Sequence, residues 1–199
     1  MRTVLFCLAL LAISWVLTQP FRAIAHGPGV LAPAEPMQGR LIERGPVIQV
    51  GGWSLTPLTT YTVHARVLAT ARYRSDATAD LSPYDLLLGW GPMSDSAVLK
   101  EMSFSQSGRF GYWQYGPDSL LNSPEITRHA ANTHLIPANR YVSDRIAALK
   151  VGSVVTLRGK LVEANRSDGQ GPPWRSSLSR TDSGAGACEI LYVESVVGK

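Results

Sequence analysis

The sequence predicts a mainly β protein: a small closed or half-closed β-barrel of OB-like kind with one short helix, or alternatively a β-sandwich. Three observations lead there. Tyr61–Arg74 alternates between two kinds of side chain for fourteen residues, the period of a strand with one buried face. The other apolar runs are short and divided by Gly-, Pro-, Asn- and Asp-rich turns. Only Tyr141–Lys150 carries helical spacing, with Val142, Ile146 and Leu149 on one side and Asn139 placed to cap its start.

From the beginning of the chain, Arg2 precedes an apolar run from Val4 to Leu17, followed by Ala23-Ile24-Ala25 with small residues at alternate positions. This is the layout of a signal peptide. Nineteen uncharged residues from Thr3 to Phe21 also approach the ~20 needed to span a bilayer, so residues 1–25 are expected to be a signal peptide or an uncleaved membrane anchor. In both cases the remainder is expected in the periplasm, or on the extracytoplasmic side of an inner membrane. Residues 26–59, with Gly27-Pro28-Gly29, Pro33, Pro36 and Gly51-Gly52, read as a Gly/Pro-rich tether with one short strand at Val47–Val50. Residues 60–199 form the β-rich domain.

Within that domain, an odd row Tyr61, Val63, Ala65, Val67, Ala69, Ala71 and Tyr73 is the expected buried face. The even row, with His64, Arg66 and Arg72, is the expected solvent face. A strand this long has to bend, as strands do in small barrels. Asp85–Trp90 and Arg109–Tyr115 are the next strands, and Ala97–Lys100 a helical turn capped by Ser94 or Asp95. Ser153–Ala164 places Val155, Leu157 and Leu161 on one side, with Gly159 on the same row allowing a sharp bend. Trp174–Arg180 and Ala187–Val197 complete the strands.

Charge excludes little but is informative. Without Arg2 and Arg22, the 19 basic residues fall to 17 against 15 acidic ones, too small an excess to argue for nucleic acid, which export also disfavours as a partner. Cys7 lies in the apolar leader, so the domain holds Cys188 alone and no disulfide framework.

Cys188 is a candidate nucleophile with His134 or His129 as its base, since a thiolate needs a nearby base or positive charge. The plainer account is a small buried residue beside Ile190 and Tyr192. His129 and His134, with Glu125, Asp95 or His64, are the candidate metal ligands, but five-residue spacing splits the pair between strand faces, and no metal or other cofactor is expected. Trp90, Tyr112, Trp113, Tyr115 and Trp174 suit either a core or a stacking surface. The C-terminal hairpin offers Ser177, Ser179, Arg180 and Asp182 beside Arg158 and Lys160, a polar groove of positive bias suited to an anionic or glycan-like ligand or an envelope protein.

The stretches Leu88-Gly-Trp-Gly-Pro-Met-Ser-Asp95 and Ser179-Arg-Thr-Asp-Ser-Gly-Ala-Gly-Ala-Cys-Glu189 resemble those of uncharacterised exported bacterial proteins. That resemblance implies export and names no activity. A histidine upstream of a strand-borne cysteine is also similar to sortase-like transpeptidases, but nothing basic follows Cys188 before Lys199. The expected function is thus an exported or inner-membrane-anchored domain with a binding or structural role in the bacterial envelope. The alternative is an envelope cysteine hydrolase or transpeptidase using Cys188 with His134 or His129.

Overall fold

The computed structural model describes residues 23–43, 45–182 and 184–198, so most of the leader expected over residues 1–25 lies outside the described residues. The fold is mainly β. Its strands are β1 (Met37–Leu41), β2 (Ile48–Val50), β3 (Trp53–Arg72), β4 (Tyr84–Gly89), β5 (Met102–Ser107), β6 (Phe110–Tyr115), β7 (Ala130–Pro137), β8 (Val154–Arg166), β9 (Trp174–Arg175) and β10 (Glu189–Gly198). The helices are α1 (Ser96–Leu99), α2 (Ser123–His129) and α3 (Arg140–Ala147).

Backbone hydrogen bonds run in a closed ring through five strands, from β3 to β4, β7, β10, β8 and back to β3. Within the ring only β7 and β10 are parallel. A parallel pair needs a long crossover, and here α3 and β8 supply it. This is the small closed architecture expected, with an OB-like strand order. β3 is long enough to serve both β4 and β8 because it bends, with register shifts at Pro57/Thr59 and Val67/Ala69.

Inside the ring pack Tyr61, Val63, Ala65 and Val67 of β3 with Leu86, Leu88, Leu135, Leu157, Leu161, Leu191 and Val193. Each buried aliphatic side chain contributes about 1.5–3 kcal/mol. Val142 and Ile146 of α3 join this core, and the Asn139 side chain accepts from Val142 N at the helix start. The odd row of β3 is therefore the interior face up to Val67. The shift after Val67 then buries Leu68 and Ala69 together and ends the alternation. Gly159 sits where a Cβ would overlap the Tyr192 carbonyl oxygen, so β8 and β10 approach closely only because no side chain is there.

A second apolar layer covers part of the outside of the ring, built on Trp53, Leu55, Ile136, Val162, Ala164 and Ile190, with Trp174 packed against it. A third seats the β5–β6 hairpin, where Phe104 and Trp113 pack against Leu87, Met93 and Ile126.

Three segments differ from the sequence expectation. The 26–59 stretch carries β1, β2 and the start of β3. β1 is exposed along its whole length and owes its form to pairing with β3 rather than to burial. Helix α2 was not expected. Its start is an Asn122–Glu125 capping box with Pro124 in the first turn, and only Ile126 is buried. Trp174–Arg180 is strand only over Trp174–Arg175, because from Ser176 onward the side chains turn to bond their own loop.

Leu88–Asp95, one of the two stretches singled out in the sequence, acts as a clasp. Ser94 Oγ accepts from the backbone N–H groups of Leu31 and Ala32, and Asp95 Oδ1 accepts from Gly29 and Ala97. The clasp holds the chain preceding β1 against the body.

Candidate functional site

Register brings the site together. Asp85 on β4 lies directly opposite His134 on β7, and His134 lies opposite Ile190 on β10. Cys188 stands just before β10, two residues ahead of Ile190, and its thiol contacts His134. Because Leu86, Leu135 and Leu191 fill the interior, their neighbours Asp85, His134 and Ile190 face outward. The three side chains therefore form a row across three strands, beneath the β5–β6 hairpin and beside Trp174.

His134 Nδ1 is 2.9 Å from Asp85 Oδ1, a close contact that is not in line with the ring N–H. Such bent geometry is common in catalytic pairs without a substrate. The Trp174 ring stands 4.8 Å from the imidazole, centroid to centroid, and covers it. Burial alone would lower the His134 pKa. Contacts with Asp85 and then with Cys188 outweigh it and push the value up to about 9, which favours the imidazolium. Cys188 is half-buried and lines a pocket of about 240 Å³ with Tyr112, Thr127, Asn132, Arg180 and Asp182. Asn132 Nδ2 lies 3.6 Å from the Cys188 sulfur.

Asp85 is fully buried and also accepts from Arg109 Nη1 at 3.0 Å. Arg109 reaches it from the tip of the β5–β6 hairpin, where Gly108 (φ 56°) and Arg109 (φ 73°) form a two-residue turn with positive φ at both positions. Arg109 also donates to both oxygens of Asp76, at 3.0 and 2.8 Å, and to the Ser82 carbonyl at 2.8 Å. Its guanidinium lies 3.8 Å above the Tyr73 ring. Burial, followed by the charge of Asp85, raises the Tyr73 pKa, so the phenol keeps its proton.

Of the residues singled out in the sequence, Cys188 and His134 meet. His129 does not join them: its Nδ1 donates to the Glu125 carbonyl at 2.8 Å and closes its own helix. The polar groove is not assembled as one surface. Ser177 is buried, with its hydroxyl on Asp182 and Ser179. Arg180 pairs with the buried Glu189 and donates to the Tyr61 hydroxyl at 3.3 Å. Ser179, Arg180 and Asp182 line the Cys188 pocket. Lys160 pairs with Glu194 on the neighbouring strand, and the exposed Arg158 sits on β8. Of the aromatic set, Trp90 is core, Trp113 and Trp174 are packed, and Tyr112 and Tyr115 are exposed. Among the described residues, no His, Cys, Asp and Glu side chains gather as a metal-binding set.

Asp85, Arg109 and Tyr73 are site residues that sequence reasoning missed. The available signal for Asp85 was one acid inside the otherwise apolar run Tyr84–Trp90.

The fold and the site together define a mainly β protein in which buried His134 on β7 meets the Asp85 carboxylate of β4 and the Cys188 thiol just before β10, and of the three only Cys188 lines the pocket. Comparison with protein-family models, curated proteins and solved structures finds no match.

Proposed function

We propose that the protein is a cysteine-dependent acyl-transfer enzyme, a hydrolase or transpeptidase, acting on the outer side of the bacterial inner membrane. The observation that carries this reading is the alignment of Cys188, His134 and Asp85 with the sulfur facing a pocket. In that scheme Asp85 orients the His134 ring, and the imidazolium stabilises the Cys188 thiolate. The thiolate attacks the acyl carbon, His134 gives its proton to the leaving group, and a thioester forms. Water or an amine then attacks the thioester while His134 takes up the incoming proton, and the thiolate is regenerated. Asn132 Nδ2 contributes an amide donor beside the sulfur.

A binding or structural role without chemistry makes a different prediction, so one experiment separates the two. The full chain is mixed with p-nitrophenyl acetate, and the Cys188-containing peptide is analysed by mass. The proposal expects a burst of nitrophenol with one acetyl group on Cys188, absent in Cys188→Ala and slowed in His134→Gln. Acetylation no faster than that of a free thiol, and insensitive to His134, overturns it.

A further inference from the structure

We infer that Arg109 is a positioning residue for the Cys188 site, holding Asp85 and Asn132 in place from the tip of the β5–β6 hairpin. The inference rests on the cysteine-enzyme reading and names a residue that reading does not use. Arg109 touches both sides of the site. Its guanidinium binds Asp85 Oδ1, the same oxygen that faces His134 Nδ1. Its backbone carbonyl accepts from Asn132 Nδ2 at 2.9 Å, and that nitrogen is the one 3.6 Å from the Cys188 sulfur. Gln106 on the same hairpin fixes the other end of the amide, donating to Asn132 Oδ1 at 2.7 Å.

The turn geometry argues that the side chain is kept for what it holds. At φ 73° the second turn position is one that glycine fills without strain, and Gly108 already occupies the first. An arginine there is disfavoured by local conformation, and strained non-glycine residues persist where the surroundings over-determine them. Here the surroundings are Asp76, Ser82, Asp85 and the Tyr73 ring, all engaged by one planar group. A planar guanidinium holds two carboxylates in one fixed fork, whereas an ammonium offers a point charge with rotatable donors on a flexible stem.

The same geometry supplies a clean perturbation. Arg109→Gly removes the guanidinium while favouring the turn, so the carbonyl that receives Asn132 keeps its conformation. The measurement is the rate of Cys188 alkylation by iodoacetamide against pH, read by mass on the Cys188-containing peptide so that Cys7 does not contribute. Among the described residues, the charged and titratable groups around His134 are Asp85, Cys188 and Arg109, with Tyr73 and Asp76 behind them. In the wild type, the imidazolium of His134 beside the sulfur is expected to sustain alkylation on the acidic side of the profile, a low-pH arm that depends on His134.

His134→Gln abolishes that low-pH arm. Arg109→Gly slows it by roughly tenfold with an unchanged circular dichroism spectrum, because a misplaced orienting group costs about that much or more. If His134→Gln changes the profile and Arg109→Gly does not, Arg109 is only a hairpin staple and this inference fails alone. If His134→Gln leaves the profile unchanged, the cysteine-enzyme reading fails and takes this one with it. Should Arg109→Gly lose its fold, Arg109→Lys carries the comparison. It is expected to give an intermediate profile, and a wild-type profile from lysine overturns the inference.

Discussion

Replacing Asp85 with asparagine tests the electrostatics of the site in isolation from any substrate. The carboxylate is wholly buried, 3.0 Å from Arg109 Nη1 and 2.9 Å from His134 Nδ1. Breaking a buried ion pair by removing one partner costs about 3–5 kcal/mol. Arg109 retains both contacts with Asp76, so the lower end of that range, about 3 kcal/mol, applies here.

The pH dependence adds a second reading. Burial opposes the charged form of His134, yet Asp85 and Cys188 raise its folded-state pKa to about 9, above the ~6.5 of an unfolded histidine. A raised pKa stabilises the fold fully below ~6.5 and loses that contribution as pH climbs through about 9. The gap corresponds to about 3 kcal/mol. Asparagine removes the larger of the two raising contacts, so the variant is expected to lose most of this slope.

The assay is urea unfolding of wild type and Asp85→Asn, followed by tryptophan fluorescence at about pH 6 and about pH 9.5. At the lower pH the loss at Arg109 and most of the His134 contribution act together, roughly 5 kcal/mol, so the variant midpoint is expected to fall by about 2–5 M urea with the usual denaturant slopes. The difference should narrow at the higher pH, where His134 is mostly neutral in both proteins, leaving mainly the loss at Arg109 of about 3 kcal/mol. A pH-independent difference, or one below about 0.5 kcal/mol, would refute the pairing of carboxylate and imidazole.

Two further outcomes are expected. Gly159→Ala should lower stability by about 2–3 kcal/mol in a thermal melt, because its Cβ would overlap the Tyr192 carbonyl and force β8 from β10; an unchanged melting temperature would mean that the two strands part without cost. A reporter active only outside the cytoplasm, joined after Lys199, should be active in a bacterial host. Activity only of a cytoplasmic reporter at that position would exclude export.

Much of the fold was legible where a residue's role depends on its own neighbours in the chain. The odd row from Tyr61 to Val67 was readable because one face of β3 meets a continuous core. The caps at Asp95 and Asn139 were readable because capping is chemistry over two or three residues. Helix α2 was missed although its Asn122-Ser-Pro-Glu125 start carried the signal, since Ile126 alone gives no periodicity.

The site was half legible. Cys188 and His134 are residue types that attract notice, and their functional partnership was weighed. Asp85 was hidden because its role depends on cross-strand register, with Asp85 against His134 and His134 against Ile190. No local pattern encodes that register. Of the groove residues, Ser179, Arg180 and Asp182 line the Cys188 pocket, while the partners of Ser177, Arg180 and Lys160 are set by the same register and loop contacts that no local pattern encodes.

The parallel pairing of β7 with β10 also fixes the order of events in the life of the chain. Every other strand of the ring precedes β10 in sequence, and α3 and β8 must be threaded between the two partners. The thiol therefore meets its imidazole only when the last strand docks and the ring shuts. A nascent chain would carry Cys188 without its His134 and Asn132 neighbours. On the proposed reading, any His134-dependent alkylation of Cys188 would appear only with completion of folding and would report assembly of the native ring.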